Sequence, residues 1–124
     1  MLLVSESLIS EMIKFGYPKE DAFVFVRAKG RCEYCDAELM HDRIAFDSVQ
    51  FDHITPKSKG GGNSADNIAL ACKVCNTAKS TYLPAGDSRE ERIQDTKRHL
   101  GERRAHADGF WKKVSDAFRE HGFT

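Results

Sequence analysis

Apolar residues near the start of the chain recur at helical spacing. Leu8, Ile9, Met12 and Ile13, with Phe15 beyond, fall on one face of a helix over 5–15, with Ser5 as its candidate N-cap. Gly16 and Pro18 break that run. A second helix is expected from Pro18, with Lys19-Glu20-Asp21 in its first turn, Ala22, Phe23, Phe25 and Val26 as its apolar residues, and Gly30 as its end. The Phe23–Val26 stretch also suits a strand, but the Pro start and Gly stop favour helix. Farther on, Ile44 and Phe46, then Val49 and Phe51 after Asp47-Ser48, alternate; this predicts a β-hairpin over 43–53 whose second strand delivers Asp52 and His53. Residues 56–64 read as loop around Gly60-Gly61-Gly62-Asn63, and a helix is expected from Cys75 through Lys79 to about Tyr82. After a boundary at 84–88, residues 89–105 predict a charged helix anchored by Ile93 and Leu100. A last helix, capped by Asp108, would carry Phe110, Trp111, Val114 and Phe118 on one face as packing anchors.

Composition narrows the class. The chain has 124 residues, 40% hydrophobic and 31% charged, which fits one folded domain with helical flanks rather than a disordered or multidomain protein. No run is long and apolar enough for a bilayer, and the start carries Glu6 and Glu11 without a basic cluster ahead of its apolar residues. The expectation is an intracellular, cytoplasmic protein of bacterial or phage-type setting, without a membrane, whose thiols stay reduced. Four cysteines there suggest a metal before disulfides. Net charge is zero, which argues against a uniformly basic coat, but the charges are unevenly placed. Residues 1–51 hold six basic and nine acidic residues, 52–86 hold four and two, and 87–124 hold nine and eight.

Cys32-x2-Cys35 and Cys72-x2-Cys75 stand 36 residues apart. Two such knuckles suit the four thiolates of a tetrahedral zinc site, and the long gap means the metal would staple two distant segments. Neither pair lies in the βαβ context of a dithiol redox site. With all four positions filled by sulfur, this zinc is expected to be structural.

Between and within the knuckles lie Asp52-His53-Ile54-Thr55-Pro56, Gly60-Gly61, Asn67-Ile68-Ala69-Leu70 and Cys72-x2-Cys75-Asn76-x2-Lys79. Over 30–82 this pattern resembles the HNH endonucleases, in the variant with Asn rather than His at the third motif position; 1–29 and 83–124 carry no resemblance and read as an N-terminal helical flank and a C-terminal helical extension. The resemblance implies a small α+β fold, a zinc-stapled ββα-metal core with flanking helices, and metal-dependent phosphodiester hydrolysis in DNA giving 5′-phosphate and 3′-hydroxyl ends.

The chemistry of the residues agrees. Hydrolysis needs an activated water and a cation at the phosphate. Imidazole is the side chain suited to general-base work near neutral pH, which makes His53 the candidate. Asp52 and Asn76 offer hard oxygen ligands suited to Mg2+ or Mn2+. Asn76 equally suits capping of the helix after the knuckle. Asn67, by the resemblance, ties the loop across the motif and helps orient the His. Lys57, Lys59 and Lys79 are the candidate contacts to nucleic-acid phosphates, whereas His41, His99, His106 and His121 read as surface residues. One such motif cuts one strand at a time, so double-strand cleavage would call for a homodimer. The other reading is a non-catalytic zinc-dependent nucleic-acid-binding module. For the metal staple, Cys72→Ser is expected to unfold or strongly destabilise the chain and to abolish zinc binding, as read by thermal melting and metal content.

Overall fold

The computed structural model describes residues 2–123, with side chains from Ser5 onward. Two helices, α1 (Leu2–Lys14) and α2 (Lys19–Arg27), pack on each other and lead into the first knuckle. Then follow a short helix α3 (Arg43–Asp47), strand β1 (Val49–His53), strand β2 (Ile68–Cys72), helix α4 (Lys73–Lys79) and a long helix α5 (Arg89–Glu120). The strands form a two-stranded antiparallel sheet with Phe51 opposite Leu70 and His53 opposite Ile68. The fold is thus α+β, with β1, β2 and α4 in ββα order.

Several elements depart from the sequence reading. Residues 43–47 form a helix, not the first arm of a hairpin. Asp42 caps it by accepting from Ala45 N at 2.8 Å, Arg43 pairs with Asp47 one turn on, and Ile44 faces solvent. The true partner of β1 is β2, which has no polar residue to reveal a strand period because all five of its residues are buried. Ser5 lies inside α1 rather than at its cap. The two C-terminal helices are one: α5 runs through Asp108 and Gly109 without a break. A glycine inside a helix costs about 1 kcal/mol, less than nucleating a new helix. Ser88 starts α5 with a capping box, its hydroxyl accepting from Glu91 N while the Glu91 carboxylate accepts from Ser88 N, both at 3.0 Å.

One core draws on residues from Met12 to Leu100. Met12, Val24 and Phe25 from the first helices, Ile54, β2, and Ile93 and Leu100 from α5 share it. Beyond Leu100, α5 leaves the core. Phe110, Trp111 and Phe118 are 61%, 70% and 52% exposed, so they are not the packing anchors their spacing suggested.

The edge of β2 away from β1 is closed by Glu33. Its backbone N–H donates to Leu70 O at 2.8 Å, and its carboxylate accepts from Leu70 N at 2.8 Å. Arg89, from the start of α5, donates to the same carboxylate at 2.9 Å, and Arg27, from the end of α2, pairs with it at 3.5 Å. Both arginines also donate to Ile68 O. One half-buried acid therefore joins α2, the first knuckle, β2 and α5. Removing it leaves two guanidinium groups short of their counter-charge. Glu33→Ala is expected to cost about 2–4 kcal/mol, seen as a lower urea midpoint at unchanged m-value.

Candidate active site and cysteine cluster

The four cysteine sulfurs lie within 4.8 Å of one another, with Cys35 Sγ 3.8 Å from Cys72 Sγ. A tetrahedron with 2.3 Å zinc–sulfur bonds has edges of about 3.8 Å, so the spacing fits the metal. Local folding makes the cluster. In each knuckle the second cysteine's N–H points at the first cysteine's sulfur, at 3.4 Å, and Cys72 thereby also caps α4. Packing the four thiols together splits their acidities. Hydrogen bonding to Cys32 draws Cys35 far down and Cys72 down to about 6, while hydrogen bonding within the cluster pushes Cys32 and Cys75 up. Arg104 of α5 donates to Cys75 Sγ at 3.6 Å and brings positive charge to the sulfur cluster. Its sequence position suggested only a place on a charged helix.

Only 17 and 18 residues past Cys35, β1 ends at Asp52 and His53. Adjacent strand residues point to opposite faces, and here Asp52 turns inward while His53 stays half-exposed. Because the strand stops at His53, both still line one cleft of about 360 Å3, together with Asn76 of α4 and Lys57.

Asp52 is 6% exposed, and Oδ2 takes both of its partners: Tyr34 donates its hydroxyl at 2.6 Å and Lys79 Nζ lies at 3.2 Å. Burial raises the Asp52 pKa, opposed by the Tyr34 hydrogen bond and the Lys79 charge. Burial, then the charge of Asp52, pushes the Tyr34 phenol far above its ordinary value, so it stays a donor. Lys79 is 1% exposed and also donates to His53 O at 2.9 Å. This corrects its assignment as a phosphate contact: a buried ammonium held by a carboxylate and a carbonyl does not reach a backbone outside. Lys57 and Lys59 remain exposed on a 3-10 turn, and only Lys57 lines the cleft.

His53 Nε2 lies 2.9 Å from Asn63 Oδ1, a partner hidden in the sequence as part of a glycine-rich loop. With Nε2–H donated to that oxygen, Nδ1 keeps its lone pair. Asn67 spans the same loop: its Oδ1 accepts from Thr55 N at 2.9 Å, and its Nδ2 donates to Thr55 O at 3.0 Å and Gly62 O at 2.9 Å. Asn76 sits in α4 behind the cap formed by Cys72, so it is not the N-cap.

Residues 32–81 match the family model described as HNH endonuclease. This segment is an HNH domain. No curated protein and no solved structure gives a match to the chain. In the HNH domain the two knuckles bracket the cleft: Tyr34, inside the first, holds Asp52, and the second begins the helix that carries Asn76 and Lys79. The loop between the strands closes at Gly61, where an added Cβ would lie 1.8 Å from Thr55 O and 2.8 Å from Asn67 Nδ2. Gly61→Ala must therefore break the Asn67 clamp. The expected result is a folded, less stable protein whose loop amides exchange faster, read by hydrogen–deuterium exchange over 55–67.

Proposed function

We propose that this chain is a metal-dependent HNH endonuclease that hydrolyses phosphodiester bonds in DNA. The reading is supported above all by Asp52, His53 and Asn76, which come from a strand and a helix yet line one cleft. A packing role would not need a carboxylate, an imidazole and a carboxamide at one opening.

His53 would act as the general base. Its Nε2–H is held by Asn63, and Nδ1 has the free lone pair that accepts a proton from water. Asp52 and Asn76 would hold a hard divalent cation, Mg2+ or Mn2+, through oxygen. Such a cation supplies positive charge at the scissile phosphate and the leaving 3′ oxygen. Lys57, exposed at the rim, and Lys59 beside it would meet the phosphate backbone. Lys79 acts from within, favouring the ionised form of Asp52 against its burial and tying the carbonyl of His53 to α4. Zinc at the cysteine cluster would hold the frame, a role suited to the reducing interior of a cell. Since one site attacks one strand, double-strand cleavage would use two copies.

The decisive experiment incubates the purified protein and His53→Ala with plasmid and Mg2+ or Mn2+. Wild type is expected to nick or cut, with Mg2+ or Mn2+ better than Ni2+ or Zn2+. His53→Ala should lose about 100-fold or more of the rate without losing its fold. Plasmid bound but uncut by both proteins would overturn the enzymatic reading in favour of a binding module.

A further inference from the structure

The first knuckle carries more than two sulfurs. Tyr34 stands between Cys32 and Cys35, is 4% exposed, and aims its hydroxyl at Asp52 Oδ2 across 2.6 Å. Its place in sequence, as the second spacer of a C-x2-C turn, gives no hint of this. The phenol can reach Asp52 only because the turn is folded back beside the strand end.

The geometry at Asp52 is one-sided. Tyr34 and Lys79 both bond Oδ2, and Oδ1 takes no protein hydrogen bond among the described residues. A carboxylate pinned through one oxygen has a fixed plane, and its other oxygen has a fixed direction. The two partners differ in kind. Lys79 brings a full positive charge, which holds the anion but competes with a cation for it. The phenol brings a directed hydrogen bond and no net charge, so it orients the carboxylate while leaving its charge for a cation. Outer hydrogen bonds of this sort fix the direction of metal-ligating carboxylates.

We propose that Tyr34 is a positioning residue for Asp52, by which the first cysteine knuckle sets the orientation of the carboxylate that would receive the divalent cation. The inference rests on the reading of Asp52 as a cation ligand. It adds that the first knuckle reaches the cleft through one side chain, so the cluster shapes the chemistry as well as the fold.

The test compares wild type with Tyr34→Phe, which keeps the ring and removes only the hydroxyl. Mn2+ binding is followed by electron paramagnetic resonance, with zinc content and melting temperature measured on the same samples. Binding is expected to weaken about 10-fold or more while zinc content stays at wild type. In an Asp52→Asn background the Tyr34→Phe change should add little, because the group it orients is gone. Equal Mn2+ affinity of Tyr34→Phe and wild type, or a full additional loss in the Asp52→Asn background, would overturn the proposal. A second measurement needs no variant to fold. In wild-type protein labelled at tyrosine Cζ, one of the three tyrosine signals should shift as Mg2+ is added, and no shift at any of them counts against it. The two readings fail differently. A wild type that binds Mn2+ and cleaves, beside a Tyr34→Phe that does both equally well, removes only the positioning role. A wild type that does neither removes the nuclease reading and this inference with it.

Discussion

The meeting of four cysteine sulfurs within 4.8 Å is the constraint on which the HNH domain depends. It closes a loop of 36 intervening residues that contains β1, the glycine-rich turn and nearly all of β2. Closing a chain of that length costs roughly 3 kcal/mol in entropy beyond a constant. A zinc ion on four thiolates would contribute on the order of 10 kcal/mol, more than enough to offset it. The sheet alone would not hold: two strands in isolation are marginal at best in water. Once the knuckles meet, Glu33 in the first lies along β2, and Cys72 in the second starts α4. The helix ends that flank the sheet are then fixed by the same acid through Arg27 and Arg89.

Charge follows a similar economy of position. The 52–86 segment has two more basic than acidic residues, and the burial of Lys79 against Asp52 removes one of each sign. The excess is unchanged, but its carriers are now Lys57, Lys59 and Lys73, all exposed, against the exposed Asp66. A molecule neutral overall thus carries a small exposed basic excess in this segment, with Lys57 at the cleft itself. Attraction from so few charges is weak and readily screened by salt.

The knuckles and the Asp-His, Asn and Asn positions were legible in the sequence because each depends on residue type at short, fixed spacing. The second helix was legible from its Pro, acidic first turn and apolar face. What escaped lay in tertiary context. β2 is apolar at every position because both of its faces are covered, so it carries no alternation to read. The alternation of Ile44 and Phe46 was coincidental, and an Asp cap with an Arg43–Asp47 pair decided for helix. Lys79 looked like a surface cation by composition, but an acid inside the fold drew it in. Tyr34 and Asn63 looked like a spacer and a loop residue. Their roles exist only once the knuckle folds back on β1 and the loop folds over His53.

At 32 residues and about 1.5 Å per residue, α5 is a rod of about 48 Å. Its buried residues, Ile93, Thr96 and Leu100, all lie in its first half, and beyond them it is almost wholly exposed. Helical propensity and hydrogen bonds along its own axis hold that second half, and an isolated helix of such length is marginal. Opening therefore runs inward from the C-terminal end, in a unit separate from the body that the cysteine cluster ties together. Its amides trade protons with water while those of β2 remain protected, so the chain has two stabilities within one fold.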